Sequence, residues 1–154
     1  QRQMCIRDRH LVESNAPITR TFESKKQKGA EVDLSSVFAN SVKKAVRTVI
    51  LDQKDHLEVT DRLQTGDKEA AVSWIMVTPA EAQITGKNRI ELTKDGQRML
   101  LTVDADTEVE MKTWSNVPPH EYDFRNPGTI RVGFETVIPA NRAAQLKVRL
   151  IPLK

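Results

Sequence analysis

Arg89-Ile90-Glu91-Leu92-Thr93-Lys94-Asp95-Gly96-Gln97-Arg98-Met99-Leu100-Leu101-Thr102-Val103 holds two short β-prone runs on either side of an Asp-Gly pair. A two-residue hairpin turn needs positive φ at its central positions, which Asp and Gly tolerate. Strands are therefore predicted over 89–93 and 98–103, folded back on each other. The pattern repeats outward from this hairpin. Ala82–Thr85 precedes it across Gly86-Lys87-Asn88, and Val109–Thr113 follows it across Asp104-Ala105-Asp106.

Toward the N-terminus, Ile18–Phe22 and Ala30–Leu34 flank the charged turn Lys25–Gly29 and read as another hairpin. Val42–Leu51, rich in β-branched residues, turns at Asp52–Asp55 into His56–Asp61, where Leu57 and Val59 share one face. Ala70–Thr78 carries apolar side chains on both faces, which predicts a central strand covered on both sides and ended by Pro79. Thr129–Phe134 and Ala143–Ile151 supply the last two strands, with Pro152 closing the domain. Only Ser35–Asn40 admits a helical turn, capped by Ser35 or Ser36. About ten strands at turn spacings of roughly 8–12 residues predict an all-β fold, an antiparallel two-sheet β-sandwich favoured over a closed barrel.

A chain of 154 residues, 38% hydrophobic and 29% charged, is sized for one folded domain. Residues 1–9 hold three of the 24 basic and one of the 21 acidic residues, so the rest is close to neutral. A near-neutral body with 5% aromatics has neither the basic footprint nor the stacking platforms of a nucleic-acid binder. Cys5 is the single cysteine, which rules out a disulfide framework within the chain. No run approaches the ~20 apolar residues of a membrane helix, and the first residues lack the apolar core of a signal peptide.

Residues 1–9, Gln-Arg-Gln-Met-Cys-Ile-Arg-Asp-Arg, have no strand or helix period and read as a non-native read-through segment. The domain is then expected over 10–154, continuing upstream in the natural polypeptide.

Catalytic groupings are sparse. His10, His56 and His120 are isolated in sequence, and none lies in a nucleophile elbow or a close-spaced ligand motif. Trp114–Gly128 is the longest interval without strand character and carries Trp114, His120, Tyr122, Arg125 and Asn126. Long loops on rigid scaffolds are disproportionately functional, and these side chains suit a sugar or a partner domain. Equally, Trp114, Tyr122 and Phe124 could pin the loop to the sandwich. A basic set, Lys25, Lys26, Lys28, Lys43, Lys44 and Arg47, could attract an anionic polymer if it lined one surface, or could form solvated turns and edges.

Gly29–Leu34, Val42–Val49, His56–Leu63 and Trp74–Thr78, taken in that order, resemble the C-terminal β-sandwich of the heparinase II/III-like polysaccharide lyases. Tyr122–Gly128 and Leu146–Pro152 resemble that domain's last loop and strand, so the likeness runs from about Val12 to the end. The resemblance implies a secreted or periplasmic enzyme with an upstream α/α toroid that carries most of the catalytic groups. It also implies β-elimination on an anionic, uronate-containing polysaccharide, with a base removing the C5 proton and an acid assisting the leaving oxygen. No catalytic residue carries over to this chain; His120, Tyr122, Arg125 and Asn126 are candidate substrate contacts. No cofactor is expected. Some members hold a metal at positions matching Asp33 and Val77, and the apolar Val77 cannot ligate, so no metal site is expected either. Two further readings are a stand-alone carbohydrate-binding sandwich, which would expose Trp74 or Trp114, and a purely structural module.

Overall fold

The computed structural model describes residues 14–118 and 126–153. The described residues form eleven strands: β1 (Ile18–Glu23), β2 (Gln27–Asp33), β3 (Lys44–Asp52), β4 (Leu57–Gln64), β5 (Ala70–Thr78), β6 (Glu81–Gly86), β7 (Arg89–Lys94), β8 (Gln97–Ala105), β9 (Glu110–Ser115), β10 (Ile130–Ile138) and β11 (Ala143–Leu153). They make an eight-stranded sheet, ordered β1-β2-β3-β4-β11-β8-β7-β6, and a three-stranded sheet, ordered β5-β10-β9. Every pairing is antiparallel. The expected two-sheet sandwich is what the chain adopts.

Turn chemistry sets the hairpins. Lys94 pairs with Gln97 across Asp95 and Gly96, whose φ values of 51° and 77° are those the tight turn requires. Asp52 shapes the β3–β4 turn by accepting from the backbone N–H groups of Lys54 and His56 at 2.7 and 3.0 Å, with Asp55 at φ 59°.

Between the sheets lies a main core, with a smaller cluster of Val42, Ala45 and Ala70 beside it. Val59, Ile90, Leu92, Leu101, Val103, Leu146, Val148 and Leu150 rise from the large sheet to meet Trp74, Val109, Met111, Val132 and Phe134 from the small one. Alternation puts these residues on the inner face and leaves the outer face of the large sheet to charged side chains. There Glu58 receives Arg149 at 2.9 Å and Lys147 at 3.5 Å, and Arg98 binds Glu91 at 2.6 Å.

Four expectations need correction. Among the described residues β5 is an edge strand rather than a central one: it pairs there with β10 alone, and Val77 is 52% exposed. Its apolar run reflects a partly buried outer face, not a cover on both sides. β10 continues to Ile138 because Thr136 and Ile138, both buried, keep the inward alternation going. Pro152 sits inside β11, opposite Met99, where the strand has already left β4 and a missing N–H costs little. The 35–41 segment does hold helical-type turns, with Phe38 N donating to the Leu34 carbonyl at 3.2 Å and Val42 N to the Phe38 carbonyl at 3.0 Å, but Asp33, whose carboxylate accepts from Ser35 N at 2.8 Å, begins it in place of Ser35 or Ser36.

Candidate functional site

Asn126 is the one proposed sugar contact among the described residues; His120, Tyr122 and Arg125 lie outside them. Asn126 is exposed at the foot of the loop that joins β9 to β10. That foot is held by a short chain of hydrogen bonds. Thr129 Oγ1 donates to the Asn126 carbonyl at 2.7 Å and accepts from Asn116 Nδ2 at 2.7 Å, while Arg131 Nε donates to the Ser115 carbonyl at 2.9 Å. The two ends of the loop are thereby fixed to each other and to the small sheet.

Arg131 lies opposite Trp114 on β9 and Val77 on β5, so the outer face of the small sheet carries an aromatic, a cation and an exposed aliphatic in one row. One strand position along, Lys112 binds Glu135 at 2.6 Å and Glu110 at 2.9 Å. The hydrogen bond that Lys112 donates to Glu135, followed by the one it donates to Glu110, holds the Lys112 pKa above its ordinary value. Trp114 is half-buried here, not an open platform. Trp74 is only 7% exposed and stacks on Phe134, as its inward position in the sequence alternation requires.

The basic set is divided. Lys25 and Lys26 occupy the β1–β2 turn beside Asp52, whereas Lys43 and Lys44 stand at the other end of β3, roughly 25 Å away at strand rise. Arg47 points inward between Ala45 and Val49, where it meets Asp61 directly across the β3–β4 register. The pair is bidentate, Nε to Oδ1 at 2.6 Å and Nη2 to Oδ2 at 2.8 Å. Burial opposes the Arg47 charge, but the Asp61 hydrogen bonds and charge outweigh it and raise the arginine's pKa. The sequence carried this signal: a hairpin turning at 52–56 sets 47 opposite 61, both on an otherwise apolar face.

This pair borders a recess of about 90 Å³ between the sheets, lined mainly by Leu34, Phe38, Val42, Ala45, Val72 and Trp74. Ligand pockets run to roughly 300–1,000 Å³, so the recess is too small for a sugar ring. The Trp74 indole N–H is buried without a hydrogen-bond partner among the described residues.

Asp33 and Val77 do not meet. Asp33 lies on the large sheet opposite Val46, and hydrogen bonding from Ser35 holds its carboxyl below the usual carboxylate range. Val77 lies on the small sheet opposite Arg131. Among the described residues no group of three or more His, Cys, Asp or Glu side chains could hold a metal. His56 sits at the β3–β4 turn with Nδ1 3.2 Å from Asp52 Oδ2.

No protein-family model matches the chain, and neither does any curated protein. Solved structures do match. Heparinase III is similar over 90% of this chain at 14% identity and a TM-score of 0.66, and the match covers 21% of that protein. A second heparinase III structure matches 94% of the chain at 15% identity and a TM-score of 0.70, with 22% of that protein covered. The heparan sulfate lyase HepC from Pedobacter heparinus matches 93% at 15% identity and a TM-score of 0.61, again over 22% of its length. The chain thus has a heparinase-like sandwich fold and spans about a fifth of the proteins it resembles.

Proposed function

We propose that residues 10–154 are the C-terminal sandwich module of a polysaccharide lyase that cleaves a uronate-containing polysaccharide by β-elimination. The observation that carries this reading is the likeness to heparinase III and heparan sulfate lyase structures over 90% or more of the chain but only 21–22% of theirs. The catalytic groups are proposed to come from an upstream α/α toroid. The module's part is to form a wall of the substrate cleft and an interface with the toroid. Exposed Val77 and Val137, both 52% accessible on the outer face of the small sheet, support such an interface. His120, Tyr122, Arg125 and Asn126 are the proposed contacts to the anionic sugar, and the enzyme is proposed to act in the periplasm or outside the cell. No helix of the described residues is long and apolar enough to cross a membrane. Burial of Trp74 removes one of the two aromatic platforms that a stand-alone sugar-binding module would use.

The test is to extend the reading frame upstream of His10 from the source DNA, express the whole polypeptide, and follow unsaturated uronate by ultraviolet absorbance on heparan sulfate and alginate. Product from the long polypeptide and none from residues 10–154 is the expected result. A natural start near His10 with no extension would overturn the reading.

A further inference from the structure

The two sheets are unequal, and the excess lies on one side. β5 packs over β3 and β4, with Trp74 and Val72 near Ala45, Leu63 and Val59, while β9 approaches β6 at the other margin. Among the described residues, β1, β2 and the far half of β3 therefore extend past β5 with no strand above them. The inner face of this flap bears Ala30, Val49 and Leu51, all only half-buried, with Thr21 and Lys28 at its border. These residues, with Glu23, line an open depression on the flap, while at the flap's other end Leu34 and Phe38 pack in one cluster with Ala70 and Val72 of β5.

β5 itself is the unguarded edge. The other three end strands carry the usual protection against further pairing. β1 has Arg20, Glu23 and a register shift after Ile18; β6 has Glu81 and a shift before Gly86; β9 has Glu110 and Lys112. β5, Ala-Ala-Val-Ser-Trp-Ile-Met-Val-Thr, has no charge and no proline and keeps an unbroken nine-residue register with β10. Its second edge is unpaired among the described residues.

We infer that β5 accepts one further β-strand along this edge, over the Ala30, Val49 and Leu51 floor, and that the strand comes from the rest of a lyase-length polypeptide. The inference rests on the reading above. An added strand would lie ~5 Å beyond β5, directly above the flap, with alternate apolar side chains turned onto the floor. A second copy of the module does not fit: paired antiparallel through β5, its own flap would occupy the same space beneath the joined sheet. The comparisons place most of a heparinase-length chain outside this module. The described polypeptide also enters beside this groove. Ser36 of the turn at its end donates to the Asn15 carbonyl, and Asp33 N donates to the Pro17 carbonyl at 3.0 Å.

Residue-resolved hydrogen exchange on the 154-residue chain and on the polypeptide expressed from the extended frame tests this. In the short chain, every second amide between Ala71 and Val77 exchanges fast while the β10-facing set is protected. In the long polypeptide, the fast set slows at least 100-fold. Unchanged exchange overturns the inference, and so does uniform slowing across β5, β9 and β10, the mark of a domain merely laid over the sheet. A protected β5 edge in a polypeptide without elimination activity keeps this inference and retires the lyase reading. An absent upstream frame overturns both.

Discussion

Trp74 and Phe134 are direct partners across the β5–β10 register, and their rings lie parallel within 4° with centroids 6.1 Å apart. This offset stack joins the edge strand of the small sheet to its centre at the point where both side chains are buried. Phe134→Ala is expected to cost about 3–5 kcal/mol, the range for deleting a buried aromatic. Urea unfolding followed by tryptophan fluorescence measures it, and a loss below about 1 kcal/mol would mean the stack is not a core contact.

The Arg47–Asp61 pair is set in an apolar face, with Asp61 6% exposed and the arginine side chain 37% exposed. Removing one partner strands the other. Asp61→Ala is expected to destabilise by about 1–3 kcal/mol, less than for a fully buried pair because water still reaches Arg47. Replacing both by Met and Leu is expected to recover most of the loss. A double-mutant cycle in denaturant melts decides it; single-variant losses that simply add in the double variant would show that the pair is not coupled.

Gly133 lies in β10 where a Cβ would fall 1.8 Å from the Trp74 carbonyl oxygen, a backbone atom that cannot swing aside. Gly96, at φ 77°, has open space around it. Gly96→Ala should therefore cost about 1 kcal/mol from its φ alone. Gly133→Ala should cost several times more, and thermal melts of the two variants would rank them in that order.

Glu58 titrates below the ordinary carboxylate range. Burial pushes its pKa up, but the Arg149 hydrogen bond and the Lys147 and Arg149 charges pull it further down. A depressed folded-state pKa gives stability that is present above the unfolded value and lost as pH falls through the folded one. Glu91, lowered mainly by its Arg98 hydrogen bond, and Asp33 act in the same sense. Stability is thus expected to decline below pH ~4, with Glu58→Gln flattening that limb. An unaltered acid limb in Glu58→Gln would remove Glu58 from the account.

Local signals carried most of the fold. The Asp95-Gly96 hairpin and the Asp52 turn were legible because the residues that make them are the residues whose backbone preferences require them. Strand neighbours that are distant in sequence were not. Nothing in Ala70–Thr78 distinguishes a strand flanked on both sides from one flanked only by β10, because the difference lies in which residues fold beside it. Arg47 stands in sequence beside Lys43 and Lys44, as a basic surface would have it, but its partner lies 14 residues away and the hairpin register turns it inward. Of the proposed sugar contacts, Asn126 is placed at a braced loop foot, while the chemistry expected of the loop itself rests on residue types alone.

β11, the last strand in sequence, is the fifth across the eight-stranded sheet, between β4 and β8. Without it, β1–β4 and β6–β8 are two hairpin stacks that no strand pairing joins within the large sheet. On a ribosome the large sheet therefore cannot close before residue 150 has left the exit tunnel, and early chains expose two additional raw edges for the whole interval. Strand order makes β11 the clasp of the large sheet: a chain truncated before Ala143 would leave the β4 and β8 edges unpaired and open to proteases.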